Sequence, residues 1–238
     1  MSVTSQVRPA QDEEQPARPD RRRTIALLVA GGVVLALLGT WLVAFSPLFG
    51  VRSVDVRGTH LLSGDEVRAA AAIRNGTPLV RLDTAAVTRR VERLPDVASA
   101  QVSTSFPSTV VITVDERIAV GYVLRGSQKE LVDRAGVEYR AVSRTPAGLP
   151  KLIVPSGAPQ AAVAAAEVAA ALPAQLRAQV RSVAALDPQA ITLVLTRDRV
   201  VRWGSVDRTA EKARLLPVLL RHQVSSVDLT NPDQPFTR

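Results

Sequence analysis

PDVASAQVSTSFPSTVVITVDE, residues 95–116, is the stretch on which the fold turns. Val110, Ile112 and Val114 alternate with Val111, Thr113 and Asp115, the period of a half-buried strand. Upstream, Ala98, Ala100 and Val102 alternate in a partner strand, and Phe106-Pro107-Ser108 turns one into the other. Before this hairpin the period changes to that of a helix. Val87, Val91 and Leu94 fall at i, i+4 and i+7, Asp83 stands where a cap belongs, and Pro95 ends the run.

Further upstream, Ser63-Gly64-Asp65-Glu66 is a capping box opening the helix VRAAAAIR, with a left-handed cap expected at Asn75-Gly76. Val54 and Val56 alternate in a first short strand that Gly58 stops. The order is β-α-α-β-β, a small α+β unit with both helices on one face of a three-stranded sheet.

Residues 24–45 read TIALLVAGGVVLALLGTWLVAF, twenty-two residues without a charge, behind Arg21-Arg22-Arg23. As a helix this run is about 33 Å long, enough for a hydrocarbon core of about 30 Å. The arginines predict a cytoplasmic N-terminus and a single retained transmembrane helix, with residues 46–238 outside. A cleaved signal peptide is the alternative. The run is too long for one, and Pro47 follows the best small-residue pair, Ala44 and Ser46. Residues 1–23 hold three prolines and mixed charges with little to bury, and read as a disordered cytoplasmic tail.

Downstream the chain is strand-rich. Segments 119–126, 129–133, 137–140, 149–154, RSVAAL, ITLVLT and 200–203 read as strands, with a turn at Asp187-Pro188. Residues 158–181 are Ala-rich and helical with a break near Pro173. TAEKARLLPVLLRH is a helix with Ala213, Leu216, Leu219 and Leu220 on one side, and Pro217 should kink it or shift its start. SSVDLT (225–230) is the last strand, before the polar tail NPDQPFTR. The division is therefore tail 1–23, transmembrane helix 24–45, first module 49–117, strand-rich β domain 118–230 and C-terminal tail 231–238. No internal repeat is present.

The net charge of +8 falls mostly outside, since residues 1–23 carry five Arg against four acids. The arginines are dispersed and only eight residues are aromatic, which argues against a base-stacking platform for nucleic acid. The reading preferred is a solvated basic surface near anionic head groups. Without cysteine there is no disulfide, no thiolate nucleophile and no Cys-ligated metal.

Catalysis finds no support. His60 lies in a loop and His222 ends a helix, where a cation suits the dipole. Asp115 and Glu116 are adjacent on a strand and point to opposite faces, so they make no carboxylate pair. G-x-S-x-G, H-E-x-x-H, P-loop and G-x-G-x-x-G are all missing from the sequence. No catalytic, cofactor or metal residue is assigned. What remains is binding: if SSVDLT lies at a sheet edge, its free N–H and C=O groups can take a partner strand.

FGVRSVDVRGTHLLSGDEVRAAAAIRNGTPLVRLD (49–83) and RVERLPDVASAQVSTSFPSTVVITVDERIAV (90–120) resemble the POTRA module of the bacterial cell-division family FtsQ/DivIB. LVDRAGVEY (131–139), LPKL (149–152), RWGSVDRTAEKARLL (202–216) and SSVDLTNPDQP (225–235) resemble its β domain, and the Ala/Val/Arg-heavy composition is similar to actinobacterial members. Two departures stand near the family's partner region: the hairpin at Arg197-Asp198-Arg199 lacks a glycine, and Pro217 interrupts its helix.

The resemblance implies a non-enzymatic scaffold of the divisome in septum formation. It would sit in the plasma membrane and concentrate at the septum, linking early and late division proteins. The implied partners are the bitopic FtsB and FtsL and, through them, the septal peptidoglycan synthase FtsW–FtsI. The family meets FtsB by strand addition at the last β-domain strand and adjacent helix. Here those map to Ser225, Ser226, Val227, Asp228, Leu229 and Thr230, the helix at about 208–221, and Trp203 and Gly204 on the neighbouring strand. The alternative class is a membrane-anchored POTRA chaperone or envelope assembly and transport factor. One POTRA and no run of ten-residue alternating strands disfavour it.

Overall fold

The computed structural model describes residues 21–45, 49–221 and 224–237, and leaves out several side chains of the first helix. That helix, α1 (Arg21–Phe45), runs twenty-five residues. Ile25, Leu27, Leu28, Leu35 and Trp41 on it are exposed. Among the described residues no helix is long and apolar enough to cross a membrane. The disordered tail expected over 1–23 lies mostly outside the described residues.

The first module has the expected element order: β1 (Ser53–Arg57), α2 (Gly64–Ala71), α3 (Thr84–Val91), β2 (Val97–Ser105) and β3 (Thr109–Glu116). β3 lies in the middle, parallel to β1 and antiparallel to β2. Val110, Ile112 and Val114 face a core with Val67, Ala71, Val87 and Val91, as the two periodicities require. Leu94 packs against that core from beyond the end of α3. The Ser63–Glu66 capping box forms reciprocally, and the Asp83 carboxylate accepts the Ala86 N–H at 2.8 Å. Gly58, at φ 81°, ends β1 where any Cβ would strike the Val114 carbonyl oxygen.

Two local expectations are corrected. α2 ends three residues early, with Ala72 itself left-handed at φ 49°. That turn drops Ile73 back onto the core, and the Asn75-Gly76 segment goes elsewhere: Gly76 N–H donates to Val51 C=O, and Val51 N–H to Thr77 C=O. Ala98 is exposed, because β2 slips register against β3 between Val97 and Ser99. The bulge leaves Val97 buried and Ala98 outside.

The β domain comprises β4 (Ala119–Arg125), β5 (Gln128–Asp133), β6 (Glu138–Val142), β7 (Lys151–Ile153), α4 (Pro159–Ala171), α5 (Ala174–Arg177), β8 (Val180–Ala185), β9 (Ile191–Leu195), β10 (Val200–Gly204), α6 (Thr209–Leu219), β11 (Ser226–Asp228) and β12 (Phe236–Thr237). Its nine strands run β12-β11-β10-β9-β8-β7-β4-β5-β6. α4 and α6 cover one face. The core joins Ala161, Ala165 and Val168 of α4 and Leu216 of α6 to Leu152, Val183, Leu193 and Trp203. The alanines let α4 sit close to the sheet. α6 continues through Pro217, which is exposed, and neither starts nor ends there. The Arg197-Asp198 turn takes positive φ (62° and 55°) at two non-glycine residues, which meets the hairpin geometry without the glycine.

Ion pairs tie the two modules together. The Arg117 guanidinium reaches Asp133, and Arg140 reaches Asp96. Arg117 N–H also donates to Asp96 C=O at 2.8 Å. Asp133 is buried, and the same carboxylate accepts the N–H groups of Ala135 and Val137, each at 2.9 Å.

Candidate functional site

The segments that carry the candidate partner residues, β10, α6, β11 and β12, meet at one corner of the nine-stranded sheet. Trp203, the penultimate residue of β10, is wholly buried, its Nε1–H donating to Thr209 Oγ1 at 3.1 Å. Lys212, from the second turn of α6, is also buried. Its ammonium donates to the Trp203 and Ser205 carbonyl oxygens at 2.9 and 3.0 Å. Burial pulls its pKa below the ordinary value, against the pull of Asp207. Gly204 holds φ 75° between these groups, and a Cβ there would press on Thr230 at 3.1 Å.

The sequence reading sets Trp203 and Gly204 among the partner contacts, and the structure buries both. They lie behind the edge, with the indole enclosed within the fold. Lys212 escaped the sequence reading altogether. Its one signal is a lysine four residues before the buried Leu216, on the same side of α6 as Ala213 and Leu216.

β11 pairs parallel with β10 through Val200–Ser226, Val201–Val227 and Arg202–Asp228. Leu229 N–H donates to Arg202 C=O at 2.8 Å and Val200 N–H to Ser225 C=O at 3.1 Å. The backbones of Ser225, Val227 and Leu229 are thus turned to β10, and the Val227 and Leu229 side chains lie in the core. By alternation, Ser226 and Asp228 turn their N–H groups the other way.

β11 is not the last strand of the sheet. The segment read as a polar tail contributes β12, antiparallel to β11 with Val227 opposite Thr237 and Asp228 opposite Phe236. Since Asp228 faces β12, Phe236 faces back, and Thr237 is left with its N–H outward. Phe236 is 67% exposed. The tail is held by Arg208, left-handed at φ 55°, whose guanidinium grips both carboxylate oxygens of Asp233 at 2.7 Å and both of Glu211 at 2.9 and 3.0 Å. Arg208 depresses the Asp233 pKa in return. The Asp228 carboxyl is held low by the Thr230 N–H, at 2.9 Å, and hydroxyl.

His60 and Glu116 meet for a structural reason. The Glu116 carboxylate accepts the backbone N–H groups of His60, Leu61 and Leu62 at 2.8 to 3.1 Å. Burial pushes its pKa up, but the N–H groups of Leu62, Leu61 and His60 outweigh that and hold it below the usual carboxylate value. His222 lies outside the described residues.

Residues 49–117 match the family described as "POTRA domain, FtsQ-type", and residues 121–230 match "Cell division protein FtsQ/DivIB, C-terminal". "Cell division protein FtsQ" of Mycobacteroides abscessus is 37% identical over 91% of this chain and 70% of its own length. The chain belongs to the FtsQ/DivIB family. The protein of the same name from Streptomyces venezuelae is 34% identical over 92% of this chain and 89% of its own length. A Geobacillus stearothermophilus DivIB extracytoplasmic domain overlays 44% of this chain and 91% of that one at 16% identity, with a TM-score of 0.36, too low to add to the fold described above. FtsQ/DivIB proteins are non-enzymatic components of cell division, and the division role comes to this chain with the family.

Proposed function

We propose that this FtsQ/DivIB protein is a scaffold of the divisome that takes a strand from an FtsB-type bitopic partner, with FtsL-type protein alongside. It thereby influences septal peptidoglycan synthesis by an FtsW–FtsI-type synthase. The observation that carries this reading is the C-terminal sheet edge, where Thr237 of β12 turns its backbone outward beside an exposed Phe236. An added strand there extends a nine-stranded sheet through main-chain bonds, and Phe236 supplies an apolar contact. The edge expected at Ser225–Thr230 moves outward by one strand, because β12 covers β11.

On the sequence run 24–45 alone, and not on the described helix, we assign a retained anchor in the plasma membrane, with the N-terminus cytoplasmic and the POTRA and β modules outside, concentrated at the septum. The uncharged run behind three arginines supports it. Protease added to spheroplasts should degrade residues 46–238 and spare the tail. A mature N-terminus near residues 45–47 would refute the anchor.

The edge is tested by proline. Thr237→Pro removes an outward donor and should abolish capture of a soluble FtsB-type segment while the protein unfolds as before. Val227→Pro and Leu229→Pro remove donors spent on β10 and should damage the fold. Full capture by Thr237→Pro would sink strand addition at β12. A fluorescent fusion spread evenly around the envelope would favour the chaperone or transport class.

A further inference from the structure

The helices α4 and α6 cover one face of the nine-stranded sheet, and among the described residues the opposite face of strands β10 to β4 is open. An open face of this kind carries polar side chains outward. The POTRA sheet obeys: in register across β1, β3 and β2 its outer rows read Ser53–Thr109–Ser105, Asp55–Val111–Ser103 and Arg57–Thr113–Gln101. The β-domain sheet does not. One outer row reads Val200–Val194–Ser182–Lys151–Tyr122, and the next begins Arg202–Thr192–Ala184–Ile153, with Leu124 on the same face of β4. Ile153 and Leu124 are each 39% exposed and Val200 36%.

Charge on this face is of one sign apart from Asp228. Lys151 stands in the middle row, Arg202 at one end and Lys129, opposite Leu124, at the other. Among the described residues no ion pair engages Lys129 or Lys151. From Val200 to Leu124 is four strand spacings, about 19 Å, the length of a helix of about 13 residues.

We propose that this open face is a second docking surface, and that its occupant is an amphipathic helix of a protein partner with acidic residues flanking an apolar stripe. The stripe would lie along Val200, Val194, Ile153 and Leu124, and its Asp or Glu side chains would meet Arg202, Lys151 and Lys129. A second copy of this chain docked face to face is disfavoured, because two such basic faces repel. A membrane surface fits less well: the apolar side chains stand in flat rows without protruding aromatics to enter the acyl region.

The test uses the full chain in phosphatidylcholine nanodiscs and two fluorescent 18-residue helical peptides with one leucine stripe, flanked by glutamate in one and lysine in the other. The glutamate peptide should bind saturably and the lysine peptide should not. Lys151→Glu and Ile153→Asp should each weaken binding about tenfold or more. Lys151→Glu carries the test if Ile153→Asp fails to fold, since among the described residues the Lys151 ammonium makes no hydrogen bond or ion pair. Thr237→Pro should leave peptide binding intact, so failure of the β12 edge and failure of this face are told apart. Equal binding of both peptides, or wild-type binding by Lys151→Glu, overturns the proposal. Loss of binding in nanodiscs with one-third phosphatidylglycerol also overturns it, by giving the face to anionic lipid.

Discussion

The POTRA sheet and the β-domain sheet share one plan, helices on one face and, among the described residues, an open face on the other, but they are held together by different kinds of residue. The hydrophobic core of the POTRA module is aliphatic: Val51, Val67, Val87, Val91, Val110 and Ile112 are fully buried, and its helix caps lie at the surface. The β domain puts polar groups into its interior, with Trp203, Thr209 and Lys212 bonded to one another and to backbone at the β10–α6 corner. An aliphatic core tolerates shape changes by repacking. A buried polar lock does not, because each lost partner leaves a stranded donor or acceptor.

The comparison breaks most visibly at Trp203. Trp203→Ala should cost about 3–5 kcal/mol, lost from the β domain while the POTRA hairpin keeps its amide protection in hydrogen exchange. Equal loss of protection in both modules would show that they do not differ in this way. Asp133→Ala removes the carboxylate shared by Arg117, Ala135 and Val137 and should cost about 3–5 kcal/mol. In urea it should split one unfolding transition into two, because the joint between modules goes with it. Ile112→Ala should cost about 2–5 kcal/mol and Thr113→Ala, one residue along on the outer face, under about 0.5 kcal/mol. Similar losses for the pair would reject the assigned faces.

The smallest effects are in pH. Lys212 has a lowered pKa in the fold, so the unfolded chain binds the proton more tightly. Its burial penalty is fully present below the folded pKa and is relieved as pH rises toward the ordinary 10.5. Lys212→Met should remove that alkaline rise. Glu116 has a lowered pKa, so its contribution is present above the ordinary 4.5 and is lost as pH falls through the folded value. Glu116→Gln should flatten the acid limb of POTRA stability, and an unchanged limb would mean that the 60–62 loop does not depend on the charge.

The POTRA module was legible in the sequence because its information is local. Alternation in 109–116, a heptad-like face in 84–94 and two side-chain caps each act within a few residues. Where the reading slipped, a longer-range contact had won: Ile73 returning to the core ended α2 early, and the Val97–Ser99 register slip turned Ala98 outward. In the β domain the strands were visible but their neighbours were not. NPDQPFTR has the composition of a tail, and only the Arg208 grip on Asp233 and the outward backbone of Asp228 make a strand of its end. Trp203 stands among the partner residues only through the family resemblance, yet its hydroxyl partner six residues on satisfies the indole indoors.

The strand order has one further consequence. β6, which carries Arg140 of the joint with Asp96, and β12 are the two ends of the same sheet. Eight inter-strand intervals separate them, about 38 Å. The sheet therefore works as a ruler. Its width sets how far a strand captured at Thr237 is held from the POTRA module, and a strand added or deleted between them would move the two attachment points by about 4.8 Å without touching either.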